Sequence, residues 1–216
     1  MKNATLKILF LFIAANLSAQ KFNKQERALI QSGSTATMMI VIQTTDEDEL
    51  KVLKTASSDV DLKDKLLPVL AERMFLSMRD TLNPGIGIAA PQIGINRNLF
   101  WVQRFDKVDE PFEFYVNPEI VWRSALLRKG LEGCLSIPEI RGDVYRNYTI
   151  QINYWDKEGK FHQEIVEGFT AVVFQHEYDH IKGILFTDRL KEQENLEFSK
   201  VGDEINLYLK ERLRRQ

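Results

Sequence analysis

With one cysteine, Cys134, in 216 residues, the chain cannot close a disulfide within itself. That leaves two uses for the thiol: a small buried hydrophobe, or a thiolate with chemistry to do. Histidine is nearly as sparse, at three residues: His162, His176 and His180. Neither sign of charge dominates. Lys and Arg number 29 against 31 Asp and Glu, and the net charge of −2 argues against a nucleic-acid surface. The one basic cluster, Arg212–Arg215, suits the end of a helix. No apolar run reaches the about 20 residues that span a bilayer, and no internal repeat or low-complexity tract is present. The length and the 44% hydrophobic content fit one globular domain with a proper core.

The first residues follow a recognisable order. Lys2 and Lys7 precede the apolar run Ile8–Ala15, and the small residues of Asn16–Gln20 follow. This is the arrangement of a secretory signal peptide with cleavage after Ala19, so residues 1–19 are expected to be absent from the mature chain. No cysteine stands near the cleavage point to carry a lipid. The reading implies export to the periplasm or beyond, with no stable membrane insertion once the signal is cut. The alternative is a cytoplasmic protein with an ineffective signal, and a mature chain beginning at Gln20 would mark export.

Residues 20–37 are polar and without pattern, and read as a linker or N-terminal extension before a domain over 38–216. Met38–Ile42 suggests a short strand, and Thr44–Lys65 a loop with at most one helical turn. Leu66, Leu67, Leu70, Met74, Phe75 and Met78 predict a helix over 65–82 with one buried face, stopped by Asn83-Pro84-Gly85. Strands are predicted at 99–102, 112–116 and 119–122, with a turn at Asn117-Pro118. A long strand is predicted over 144–155, joined by the hairpin turn 156–160 to a return strand over 161–167. A helix follows over 169–181, apolar enough for the core and ended by Gly183. Leu190–Arg214 reads as a surface helix. The sum is an α+β domain with antiparallel sheets around a central helix.

That central helix carries His176-Glu177-Tyr178-Asp179-His180. Residues four apart lie one turn apart on one helical face, so two imidazoles can bind one metal ion, with Glu177 beside them as a proton carrier. Such a pattern also arises by chance, as two hydrogen-bonded core histidines. A catalytic ion usually takes a third protein ligand and keeps one open position. Phe186 stands where one zinc-protease class would need a third histidine, which excludes that class. Glu197 or Glu204 could serve in another class. Cys134, in Glu132-Gly133-Cys134-Leu135-Ser136, could complete a thiolate–imidazole–imidazole set, with Gly133 allowing close approach.

Three stretches taken together resemble the signature motifs of the peptide deformylase family. They are Gly85-Ile86-Gly87-Ile88-Ala89-Ala90-Pro91-Gln92, Glu132–Ser136 and Gln175–His180, in that order and with similar spacing. The resemblance runs from about Leu66 to Leu190. It implies removal of the formyl group from N-formyl-methionyl peptides, a peptide deformylase-like fold, and one divalent ion per chain. That ion is Fe(II) or Zn(II), with Ni(II) or Co(II) able to substitute. By motif position Cys134, His176 and His180 would be the metal ligands and Glu177 the general base and acid. Gln92 and the backbone N–H of Leu135 would form the oxyanion site. Ile86, Gly87 and Ile88, with Glu132 and Arg141, would hold the peptide as an added strand. Val172 and Val173 lie one turn before His176, where they suit the wall of a methionine-sized pocket. A pair between Arg146 and Asp179 near the metal is a further expectation. If the chain is exported, Zn(II) is the expected ion, since an Fe(II)–thiolate site outside the cytoplasm would oxidise. A monomer is expected. The competing readings are an exported zinc endopeptidase using Glu197 or Glu204, and a non-catalytic protein that captures formyl peptides or metal.

Overall fold

The computed structural model describes residues 19–202 and 205–211. The leader expected over 1–19 therefore lies outside the described residues, Ala19 excepted. Among the described residues no helix is long and apolar enough to cross a membrane.

The architecture is α+β, as expected, with two antiparallel sheets. The first has the order β1-β2-β3-β6-β7, from β1 (Gly87–Ala89), β2 (Leu99–Gln103), β3 (Phe112–Arg123), β6 (Thr149–Trp155) and β7 (Phe161–Glu167). The second has the order β5-β4-β9-β8, from β4 (Leu126–Cys134), β5 (Ile137–Asn147), β8 (Phe198–Gly202) and β9 (Ile205–Lys210). Side-chain alternation along the first sheet decides which helix each face meets. Leu99 and Trp101 join the cluster built on α3 (Leu67–Met78), where Leu70, Met74 and Met78 are fully buried. Phe100 and Val102 point the other way, to Ala171, Val173, Phe174 and Ile181 of α4 (Gly168–Ile181). Fully burying one such side chain is worth about 1.5–3 kcal/mol, so the clusters hold α3 on one face of the sheet and α4 on the other. Gly183 closes α4 at φ +71°, and a Cβ there would stand 2.8 Å from the Lys54 carbonyl carbon.

Several expectations need correction. Residues 20–37 are not a linker: α1 (Lys24–Ile30) buries Ile30 and is tied down by Arg27–Asp64 and Glu26–Arg97 ion pairs. A seven-residue helix held by one apolar residue and distant charges leaves no periodic signature. Likewise α2 (Glu47–Leu53), capped by Asp46, runs longer than the single turn expected there. Met38–Ile42 joins neither sheet; its backbone bonds instead to Ser77 and Gln92. Asn117-Pro118 is a bulge inside β3 rather than a turn, with Asn117 at φ +49° and its side-chain amide clamped to the Val60 backbone.

The strand predicted over 144–155 is two strands. The chain leaves the second sheet after Asn147 and enters the first at Thr149, and the apolar alternation carries straight through that crossing. The surface helix predicted over 190–214 exists only as α5 (Phe186–Gln193), which ends before Leu196. Beyond it, Leu207 and Leu209 repeat every second residue, the period of a strand. The β8–β9 hairpin they belong to pairs with β4, and Phe198 stacks on Tyr145 at 3.8 Å. Arg212–Arg215 lie outside the described residues.

A buried charge cluster stiffens the far side of the first sheet. Arg104 bonds to Asp106, Glu113, Glu164 and the Tyr115 hydroxyl, and Lys107 adds to Glu113. The Arg104 hydrogen bond holds Asp106 below its ordinary 3.8. Burial alone would raise Glu113, but Tyr115, Lys107 and Arg104 outweigh it and hold it below 4.5. Depressed folded-state values give stability that is fully present above about pH 4.5 and is lost as the pH falls through the carboxylate range. Asp106→Asn should therefore be less stable than the wild type at pH 7, with the difference shrinking by pH 3. Urea midpoints measured at both values check this, and a constant difference would refute it.

Candidate metal centre

The site forms where the two sheets meet across α4. The i, i+4 spacing of His176 and His180 brings their rings to a centroid separation of 5.1 Å on one face of the helix. Cys134 reaches them from the other sheet, at the end of β4 where a bulge precedes the turn into β5. Its Sγ lies 3.3 Å from His180 Nε2, and the three ligating atoms of Cys134, His176 and His180 lie within 4.8 Å of one another. An ion with arms of about 2.0–2.3 Å sets tetrahedral donors about 3.3–3.7 Å apart; the Cys134–His180 pair stands at that spacing, and His176 is close enough to complete the set. Among the described residues this is the one cluster with metal-ligand geometry. Glu197 is exposed and outside it, and Glu204 is outside the described residues.

Burial would lower the His176 imidazole, but its Cys134 and Glu132 hydrogen bonds outweigh that and hold it well above its usual range, so an ion binding there must displace a ring proton. The His176 Nδ1–H donates to Glu132 Oε2 at 2.9 Å, which turns Nε2 toward the other donors. Burial would raise the Glu132 carboxyl, but Arg146 and His176 outweigh it and hold the group at about 2, so it is a carboxylate. Arg146 grips it with two bonds, Nε to Oε1 at 2.8 Å and Nη2 to Oε2 at 2.9 Å. Burial, with the nearby His176 and Arg146 charges, keeps the His180 imidazole well below its usual range and so neutral. Phe186, in the place of a third histidine, packs its ring against His176 at 6.0 Å.

Glu177 lies beside this set, buried, with Oε2 lacking a partner among the described residues. A buried carboxylate oxygen without a protein partner awaits one from solvent or substrate. Burial pushes this carboxyl up to about 7; His176 and Arg146 pull against that and Glu132 adds to it. A group near the working pH can both take and return a proton. Gly87 makes the room for it: a Cβ there would stand 2.9 Å from Glu177 Cδ and closer still to Oε1.

Gln92 sits in a 3-10 turn over Ala90–Ile93. Its Oε1 accepts from the Ala89 N–H at 2.9 Å, which fixes the amide so that Nε2 faces Cys134 Sγ at 3.5 Å and Ser136 Oγ at 3.3 Å. Leu135, next to Cys134, is half-buried in the turn, and its carbonyl accepts from Gln43 Nε2.

The remaining expected residues divide. β1 is an edge strand. The Ile86 carbonyl accepts from Gln103 N–H, so by antiparallel alternation the Gly87 N–H and C=O face the open edge. Ile86 is partly exposed beside it, whereas Ile88 is buried in the core with α3. Val172 lies buried on the His176 side of α4, outside the core clusters, and Val173 packs into the core with Phe100 and Phe174. Arg141 is exposed, and its side chain lies across Gly133. The Arg146–Asp179 pair is present. The Glu132 side chain, expected at the peptide, is instead committed to His176 and Arg146. Neither that role nor the place of Ser136 beside Gln92 follows from the motif spacing. The usable signal was general: a metal-bound histidine nearly always gives its second N–H to a carboxylate or carbonyl.

The profile of the family described as Polypeptide deformylase matches residues 39–196. A peptide deformylase from a Caulobacter species is 41% identical over 143 residues, which are 66% of this chain and 82% of that protein. The Met-Ala-Ser-bound class I type b peptide deformylase of Acinetobacter baumannii superposes with a TM-score of 0.63 at 32% identity, over 71% of this chain and 99% of that one. The peptide deformylase of Thermotoga maritima gives 0.63 at 34% identity, over 70% and 97%.

Proposed function

This chain belongs to the polypeptide deformylase family and removes the formyl group from N-formyl-methionyl peptides; we propose that Cys134, His176 and His180 hold its divalent ion and that Glu177 moves the proton. The observation that carries this assignment is the convergence of those three donors beside a buried carboxylate whose Oε2 has no partner among the described residues. A thiolate with two imidazoles suits Zn(II) and Fe(II).

When bound, the ion would supply Lewis acidity, lowering the pKa of a water and polarising the formyl carbonyl. The residues of the chain do the rest. The peptide lies along the open edge of β1, bonded to the Gly87 backbone, with Ile86 and Val172 against its first side chain and Arg141 near the turn. Glu177 accepts a proton from the attacking water. The Gln92 amide and the Leu135 N–H donate to the formyl oxygen as it becomes negative; one such donor is typically worth about 3 kcal/mol. Glu177 then delivers its proton to the departing amine nitrogen, and formate and a free amino terminus result. Every proton taken is returned, so Glu177 ends as it began.

Formate release from formyl-Met-Ala-Ser tests the assignment, with acetyl-Met-Ala-Ser as the unreactive control and elemental analysis of the natively purified protein alongside. One ion per chain, loss of activity with chelator and its return with metal are expected. An ion-loaded protein that releases no formate would leave only the peptide-capture reading. Turnover that needs no divalent ion would remove the metal assignment.

A further inference from the structure

We infer that Arg189, on α5 and outside the three sequence motifs, is a positioning residue for the metal ligand His176, acting through Asp179, Arg146 and Glu132. The inference rests on the metal centre proposed above. Four charges of alternating sign connect the protein exterior to the ligand. Arg189 forks onto Asp179, Nε to Oδ2 at 2.9 Å and Nη2 to Oδ1 at 2.6 Å. Asp179 also pairs with Arg146 Nη1, and Arg146 forks onto Glu132, which holds His176 Nδ1. The inner members are buried, whereas the outer end opens on a cavity of about 460 Å³ that Arg146, Asp179 and Arg189 help to line.

The coupling follows from how the charges are shared. Asp179 divides its charge between two guanidinium groups, and Arg146 divides its own between two carboxylates. Without Arg189, the full attraction of a buried Asp179 falls on Arg146. Arg146 is then drawn off Glu132, and Glu132 loses the fork that fixes its rotamer against His176. An imidazole free to turn is a weaker ligand, because each productive geometry must then be selected at the moment of binding. α5 has other ties that are no part of this charge chain: the Gln193 amide bonds both the N–H and the C=O of Tyr145 on β5, and Asp188 pairs with Lys54.

The test reads the ion rather than turnover. Removing a direct partner of a ligand typically costs 10–100-fold in metal affinity, and Arg189 is three contacts away, so Arg189→Gln should lose Co(II) to excess chelator roughly 5–10-fold faster than the wild type. Its Co(II) absorption bands should broaden as the ligand geometry loosens. Arg189→Lys keeps the charge without the fork and should fall between the two. Gln193→Ala loosens α5 without touching the charge chain and should match the wild type. A loss rate for Arg189→Gln within twofold of the wild type overturns the inference, and so does equal acceleration in Gln193→Ala. If Arg189→Gln does not fold, Arg189→Lys decides, and a wild-type rate there overturns it. A wild-type protein that takes up no divalent ion fails the metal assignment itself.

Discussion

Glu177→Gln is expected to lower kcat by roughly 10²–10⁴-fold, the usual contribution of a positioned general acid–base, while one ion stays bound. Glutamine is nearly the same size and keeps a carbonyl oxygen that can hold a water, so little packing is lost. It cannot take a proton at neutral pH. In the wild type the carboxyl sits near 7 because it is buried, which makes it a strong enough base and still an acid able to protonate the leaving amine. Single-turnover formate release, with metal content measured on the same sample, separates the effects. A variant retaining a tenth or more of the wild-type rate with its ion in place would move the proton-transfer role to another group.

Gly87→Ala should reproduce much of that loss without altering any reacting group. The added methyl would overlap the Glu177 carboxylate. Glu177 is the flexible partner, so the fold can accommodate the methyl by moving the carboxylate, and the cost to global stability should be small. The cost to catalysis should not be. A displacement of about 1 Å at a reacting group can lower the rate about 100-fold, and here the displaced group is the carboxylate to which we assign the proton transfer. We expect kcat to fall by about that factor, with the thermal midpoint and metal content close to wild type. The double variant Gly87→Ala, Glu177→Gln should be little worse than Glu177→Gln alone, because both remove one function. Additive losses in the double variant would show that Gly87 acts by another route, such as its backbone contacts to the peptide.

The residues of the three motifs were legible because each carries a local signature: the i, i+4 histidines on an apolar helix, the lone cysteine after a glycine, and the glycine-rich stretch before Gln92. Their convergence was inferred from resemblance, since no local rule predicts that β4 ends against α4. Glu132 shows the limit. Its position in a motif was plain, yet its side chain answers to Arg146, fourteen residues on, and to His176, forty-four residues on. Charges paired over such separations leave no periodic trace. Arg189 and Arg104 were invisible for the same reason. The terminal hairpin failed differently: Leu196, Phe198, Val201 and Ile205 are compatible with a helical stripe, which masks the two-residue period of Leu207 and Leu209, the stretch that pairs with Leu126–Arg128 of β4. Pattern reading also missed β4 itself, whose two glycines and half-exposed residues lack clean alternation.

The donors do not share a layer. The sulfur belongs to the sheet that the terminal hairpin completes, and both imidazoles belong to a helix seated on the other sheet. An ion held by Cys134, His176 and His180 would thus clasp two halves that also meet through α4, the Arg146 pairs and the Gln92 and Gln43 amides. Ligand binding to the folded state alone adds its free energy to the fold, so this enzyme's seam and its chemistry tighten or loosen together.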